Sequence, residues 1–162
     1  MGTVGPVDRA AGRLLYPRGF PGPGWEREIP LAEWFRAQTG LPCEIDNGAN
    51  AAVLAEYRFG AGRGCRNLAY VHCGVGIRSA VIRGGAVVRS LNNREDALGH
   101  MTVDIHGAPC RCGGRGCLEG YASLAAVRAF YRRTSGQDAG YAALFDLASA
   151  GDRAAREAFR RS

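Results

Sequence analysis

Residues 99–120 read GHMTVDIHGAPCRCGGRGCLEG, and three of the chain's six cysteines fall within eight consecutive positions of that stretch. Cys110, Cys112 and Cys117 are separated by one and four residues, with Gly113, Gly114 and Gly116 between the last two. Those glycines let the backbone fold tightly enough for the three sulfurs to converge. Zinc in a closed structural site takes four tetrahedral ligands, thiolate or imidazole, so this trio predicts a zinc loop that lacks one donor. Spacing leaves two histidines for the fourth place: His100, ten residues before Cys110, and His106, four before it. The alternative is three reduced surface thiols, an arrangement exposed to oxidation.

Outward from this loop, the preceding sequence is rich in β signals. Leu68–Cys73 and Ile77–Ile82 flank Gly74-Val75-Gly76, and Ala86–Val88 follows the Gly84-Gly85 turn, which predicts an antiparallel meander. Leu91–Gly99 reads as polar loop. Upstream, Asp46 or Asn47 caps a helix through Ala51, Val53, Leu54 and Tyr57 that Gly60 ends. Leu41–Ile45 reads as a short buried strand. A first helix runs from Pro30 or Leu31 to Gln38, with Leu31, Trp34 and Phe35 on one face and Gly40 as its stop. Met1–Trp25, rich in Gly and Pro, reads as a short strand and turn followed by an irregular crossing. Beyond the cysteines the chain turns helical. Leu124, Val127 and Tyr131 make one stripe, Tyr141, Leu144, Phe145 and Ala148 a second, and Ala155 and Phe159 point inward from a last helix. Strands first and helices last predict an α/β lobe.

Composition narrows the class of partner. At 162 residues the chain is about one domain. A net charge of +6 raises the question of nucleic acid, but the 21 basic residues are all Arg, scattered, with only Arg132-Arg133 and Arg160-Arg161 adjacent. That pattern points to solvated helix faces rather than a phosphate-binding surface. Apolar runs fall far short of the roughly 20 residues a membrane span needs. Met1–Val7 lacks the layout of a secretory signal, so the chain is read as cytoplasmic. Cys43, Cys65 and Cys73 then read as reduced, small buried hydrophobes.

Taken together, GTVGPVD near the start, DNGANAAVLAEYRFGAGRG at 46–64, CGVGI at 73–77, GHM at 99–101 and CRCGGRGCLEGYAS at 110–123 resemble the ROK family of repressors, open reading frames and sugar kinases. The resemblance runs from Gly2 to about Phe159. It implies part of an actin-like, ribonuclease-H-like ATPase fold over 1–162. About 1–40 would form the end of the N-terminal lobe and the crossing. Residues 41–162 would form the sugar-binding and zinc-binding lobe, truncated at its C-terminus. It favours His100 over His106 as the fourth ligand beside Cys110, Cys112 and Cys117. It implies a hexose or N-acylated hexosamine as ligand, with Asn47, His100 and Glu119 touching its hydroxyls. Amides, imidazoles and carboxylates match the paired donors and acceptors of a sugar. Gly74, Gly76 and Arg78 fall on the family's phosphate loop.

Three positions depart from the kinase pattern. Gly48 stands where the resemblance calls for the aspartate that serves as general base, Ala97 where it calls for a sugar-binding glutamate, and Arg78 where it calls for glycine. Asp46 is about 6–7 Å along the chain from Gly48, too far to replace a base that must come within about 3 Å of its proton. Glu95 is two positions from Ala97. These departures imply a non-catalytic carbohydrate-sensing domain of the regulator or pseudo-kinase kind. The alternative is an ATP- and magnesium-dependent sugar kinase of the glucokinase or N-acetylhexosamine kinase type. In either case the resemblance implies a homodimer of the full-length protein, and DNA contact only through a domain outside this chain. The terminal helices, with Phe130, Tyr131 and Phe159, are the dimer surface read from sequence.

Overall fold

The computed structural model describes residues 1–16, 27–90 and 97–161. The crossing read up to Trp25 and the loop read from Leu91, with Glu95, fall largely outside these residues. The chain divides into two compact units, Met1–Val71 with Ser79–Asp96 and His72–Arg78 with Ala97–Ser162. In chain order the elements before the long hairpin are β1 (Gly2–Thr3), β2 (Val7–Asp8), β3 (Arg13–Leu14), α1 (Leu31–Thr39), β4 (Asp46–Asn47) and α2 (Gly48–Phe59). The hairpin strands β5 (Asn67–Cys73) and β6 (Ile77–Arg83) follow, then β7 (Ala86–Val87).

In the first unit β1 lies parallel to β4, Gly2 opposite Asp46 and Thr3 opposite Asn47. Gly2 lets β1 lie close against α2, since a Cβ there would stand 2.9 Å from that of Ala51. β2 and β3 pair antiparallel. Val7, Leu14, Ile29, Ala32 and Ile45 form one small core, and Ala49, Val53, Ala80 and Ile82 form a second where α2 covers the sheet. The sheet order is β5-β6-β7, the meander expected from the glycine turns.

Several expectations for this unit are corrected. Residues 41–45 are not a strand. Leu41 is 59% exposed and only Ile45 is buried, so no second inward side chain holds an extended run, and pairing with β1 starts at Asp46. On α1 the buried residue is Ala32, while Trp34 faces outward. Of the isolated cysteines, Cys43 is half-buried, Cys65 is exposed ahead of β5, and Cys73 is exposed because β5 loses its cover at residues 71–73.

The second unit holds a 3-10 turn (Ala97–His100), α3 (Glu119–Ala122), α4 (Leu124–Ser135), α5 (Tyr141–Ser149) and α6 (Arg153–Arg160). Local chemistry sets the ends. Ser123 caps α4 by accepting from the Ala126 N–H, Asp152 caps α6 by accepting from that of Ala155, and Gly136 closes α4 at φ 71°. Val127, Tyr131, Leu144, Ala155 and Ala158 form the core, with Phe159 packed at its edge. Tyr131 is 2% exposed, so it belongs to this core and not to a dimer surface. Among the described residues no helix is long and apolar enough to cross a membrane.

Candidate functional site

The cysteine loop is a knuckle closed by its own backbone. Cys110 N–H donates to Gly114 O at 2.8 Å, Gly113 N–H returns to Cys110 O at 3.0 Å, and Gly116 N–H donates to Ala108 O at 2.9 Å. Val103 N–H and Leu118 N–H tie the knuckle to the segment that follows His100, at 2.8 and 2.9 Å. Gly116 holds φ +58°, and the space beside its Cα is taken by the backbone carbonyl of Asp104. Only glycine fits that conformation without strain.

The ligand atoms of His100, Cys110, Cys112 and Cys117 all lie within 4.8 Å of one another. His100 Nδ1 is 3.6 Å from Cys110 Sγ, and Cys112 Sγ is 3.6 Å from Cys117 Sγ. A tetrahedral ion with metal–sulfur bonds of about 2.3 Å separates its sulfurs by about 3.8 Å, so the spacing fits such an ion. His106 is outside this group; its backbone N–H binds Asp104 on the exposed side of the loop. Burial, then the neighbouring Cys110 and Cys112, pushes the Cys117 thiol up to about 12. The Gly114 N–H and the sulfurs of Cys110 and Cys117 draw the Cys112 thiol down. Thiolates this close repel one another, and a cation among them would offset that repulsion. The group can therefore hold a metal ion.

Glu119, the first residue of α3, is 8% exposed and engaged at both oxygens. Oε1 accepts from Arg111 Nη2 at 2.6 Å, and Oε2 accepts from the Ile77 N–H at 2.9 Å. Burial opposes its charge, but the Ile77 N–H and the Arg111 cation outweigh it and hold the carboxyl below its usual range. Gly76 and Gly99 make room for it, since a Cβ at Gly76 would be 2.6 Å and one at Gly99 3.3 Å from Oε2. The turn itself is closed by Gly74 N–H on Gly76 O at 3.0 Å, and Leu124 N–H binds Gly74 O at 2.8 Å. Arg78 is half-buried on β6. Arg111 is absent from the set of residues read from sequence; its only signal there is its place between two cysteines.

Asn47 belongs to the first unit. Its Oδ1 caps α2 by accepting from the Asn50 N–H at 2.7 Å. Its Nδ2 is buried with no hydrogen-bond partner among the described residues. Gly48 is exposed, and among the described residues a Cβ there would meet only Thr3 O at 3.6 Å, so the backbone would accept a side chain at this position. Asp46 is committed elsewhere. Arg89 grips it through two nitrogens at 3.1 and 2.6 Å, Arg9 Nε stands at 3.4 Å, and Asn50 Nδ2 donates at 2.9 Å. Burial works against its charge, yet the Arg89 and Asn50 hydrogen bonds prevail and lower its proton affinity. Such a carboxylate is a poor base.

The strands, the helix-capped asparagine, and the glycine turn backed by a three-cysteine knuckle define the class: part of an actin-like ATPase fold of the kind used by sugar kinases. The chain belongs to the ROK family, whose model matches residues 1–162. It is 37% identical over 132 residues to a glucokinase of Thermotoga maritima, covering 82% of this chain and 41% of that one. It is 36% identical over 127 residues to a putative xylose repressor of Caldicellulosiruptor sp. (strain Rt8B.4), covering 78% and 31%. The crystal structure of a ROK hexokinase from Thermus thermophilus matches with a TM-score of 0.78 at 32% identity, over 99% of this chain and 51% of that one. The chain thus spans about half or less of the relatives it matches.

Proposed function

We propose that this chain is a carbohydrate-sensing domain with a structural zinc and without phosphoryl-transfer activity of its own. The observation that carries the reading lies at 46–48, where Gly48 offers no carboxylate and Asp46 is neutralised by Arg89 and Arg9. Loss of a general base costs a kinase about 10²–10⁴-fold in rate. The ligand is a hexose or N-acylated hexosamine, in keeping with the glucokinase and xylose-repressor names of the relatives. Asn47 supports this through its unpartnered buried Nδ2, which a hydroxyl oxygen would satisfy. His100 and Glu119 are the further hydroxyl contacts. Zinc, held by His100, Cys110, Cys112 and Cys117, supplies a fixed cross-link that orients the imidazole and closes the loop. Gly74, Gly76 and Arg78 are what the chain keeps of the family's phosphate loop, with a cation where that loop has glycine.

A second reading, an ATP- and magnesium-dependent hexose kinase, is favoured by the 37% identity to a glucokinase. One preparation separates the two. Metal analysis should give close to one zinc per chain, and calorimetric titration with glucose, xylose and N-acetylglucosamine should give saturable binding to at least one of them. A coupled assay with ATP and magnesium should detect no turnover; a rate above about 1 s⁻¹, in the ordinary kinase range, would sink the sensing proposal. Binding of none of the sugars would count against the domain's having a carbohydrate ligand.

A further inference from the structure

We infer that Arg111 is a positioning residue that transmits the geometry of the metal loop to the Glu119 carboxylate, and through it to the Gly74–Ile77 turn. The inference rests on the reading that Glu119 is a sugar contact and extends it. Arg111 stands between Cys110 and Cys112, so its backbone is held on both sides by residues of the metal group. Its own side chain is 61% exposed, and an exposed ion pair of a free-swinging arginine contributes little. Anchoring at both neighbours fixes the backbone from which the side chain springs, so only its own rotamers remain to be ordered. Nη2 then reaches Glu119 Oε1 at 2.6 Å, while Oε2 is fixed by the buried Ile77 N–H at 2.9 Å.

The carboxylate is boxed as well as bonded. A Cβ at Gly76 would stand 2.6 Å and one at Gly99 3.3 Å from Oε2, so both glycines lie close against the carboxylate. A carboxylate has about four lone-pair sites, so two remain to accept sugar hydroxyls in a direction set by the two bonds already made. The route from the sulfurs to Arg111, Glu119 and the Ile77 amide lies inside the second unit. The contact between Arg111 and Glu119 is through one nitrogen, so a lysine can restore it, whereas alanine cannot.

The test compares wild type, Arg111→Ala and Arg111→Lys by zinc content, by calorimetric titration with glucose and N-acetylglucosamine, and by hydrogen exchange at the Ile77 amide. Arg111→Ala should keep its zinc, bind sugar about tenfold more weakly, as expected for loss of one charge-assisted contact, and exchange the Ile77 amide at least severalfold faster. Arg111→Lys should return both to within about threefold of wild type, and chelation of wild type should speed the same amide. A zinc-loaded Arg111→Ala protein with unchanged affinity and exchange overturns the inference, as does one that loses its zinc, since Arg111 would then act on the metal. If wild type binds neither sugar, the carbohydrate reading fails, and exchange at Ile77 alone decides the role of Arg111.

Discussion

Gly116 illustrates how much a residue's backbone angle decides. At φ +58°, with the Asp104 carbonyl occupying the space of any Cβ, it has no tolerance for substitution. Its neighbour Cys117 supplies one of the four clustered ligand atoms. Gly116→Ala should lower the zinc content well below one per chain and reduce the melting temperature, whereas Gly120→Ala, in α3 with open space beside it, should keep the metal. Metal analysis and a thermal melt on the two variants check this. At this scale the sequence was informative about the thiols, because three soft donors among glycines admit few uses. Spacing alone left His100 and His106 open, since both lie within reach of Cys110 along the chain, and the family resemblance favoured His100. Neither singled out Arg111, because a loop's side-chain directions depend on backbone turns that spacing does not encode.

Helix α2 begins where the proposed ligand contact lies, and one side chain serves both roles. Asn47 Oδ1 caps the helix, while Nδ2 is the unpartnered atom. The roles can be separated. Asn47→Ala should cost about 1 kcal/mol of stability through loss of the cap. Asn47→Ser keeps a capping oxygen without burying a charge and should unfold close to wild type, yet lose sugar affinity because the amide donor is gone. Equal affinity of wild type and Asn47→Ser in calorimetry would remove Nδ2 from the binding role. The cap, the Gly60 stop and the three-stranded meander were legible from residue type and turn glycines. The run 41–45 was misread as a strand because its apolar residues imitate one. Whether a strand forms depends on its partner, and β1 meets only Asp46 and Asn47.

Across the whole molecule, acid sensitivity follows from the Asp46 cluster. Its carboxyl lies below the ordinary value of 3.8 in the folded protein, so the folded state binds fewer protons than the unfolded one. The stability it contributes is present above that value and is lost as pH falls through it to the lowered folded value. Denaturant unfolding between pH 7 and pH 3 should show this loss, and Asp46→Asn should be less stable at pH 7 with a shallower decline on the acid side. A parallel decline in both proteins would assign the acid response elsewhere. The sequence by itself determined an α/β build with a cysteine-rich loop, because periodicity, glycine turns and clustered soft donors are local properties, and its motifs carried the resemblance to the ROK family. Only the tertiary structure gathered the His100 ring with the three sulfurs, bound Asp46 to Arg89 and Arg9, and made Glu119 join Arg111 to Ile77. Those choices join residues 8 to 43 positions apart, and energies of burial, charge and hydrogen bonding select such partners only once the chain has folded.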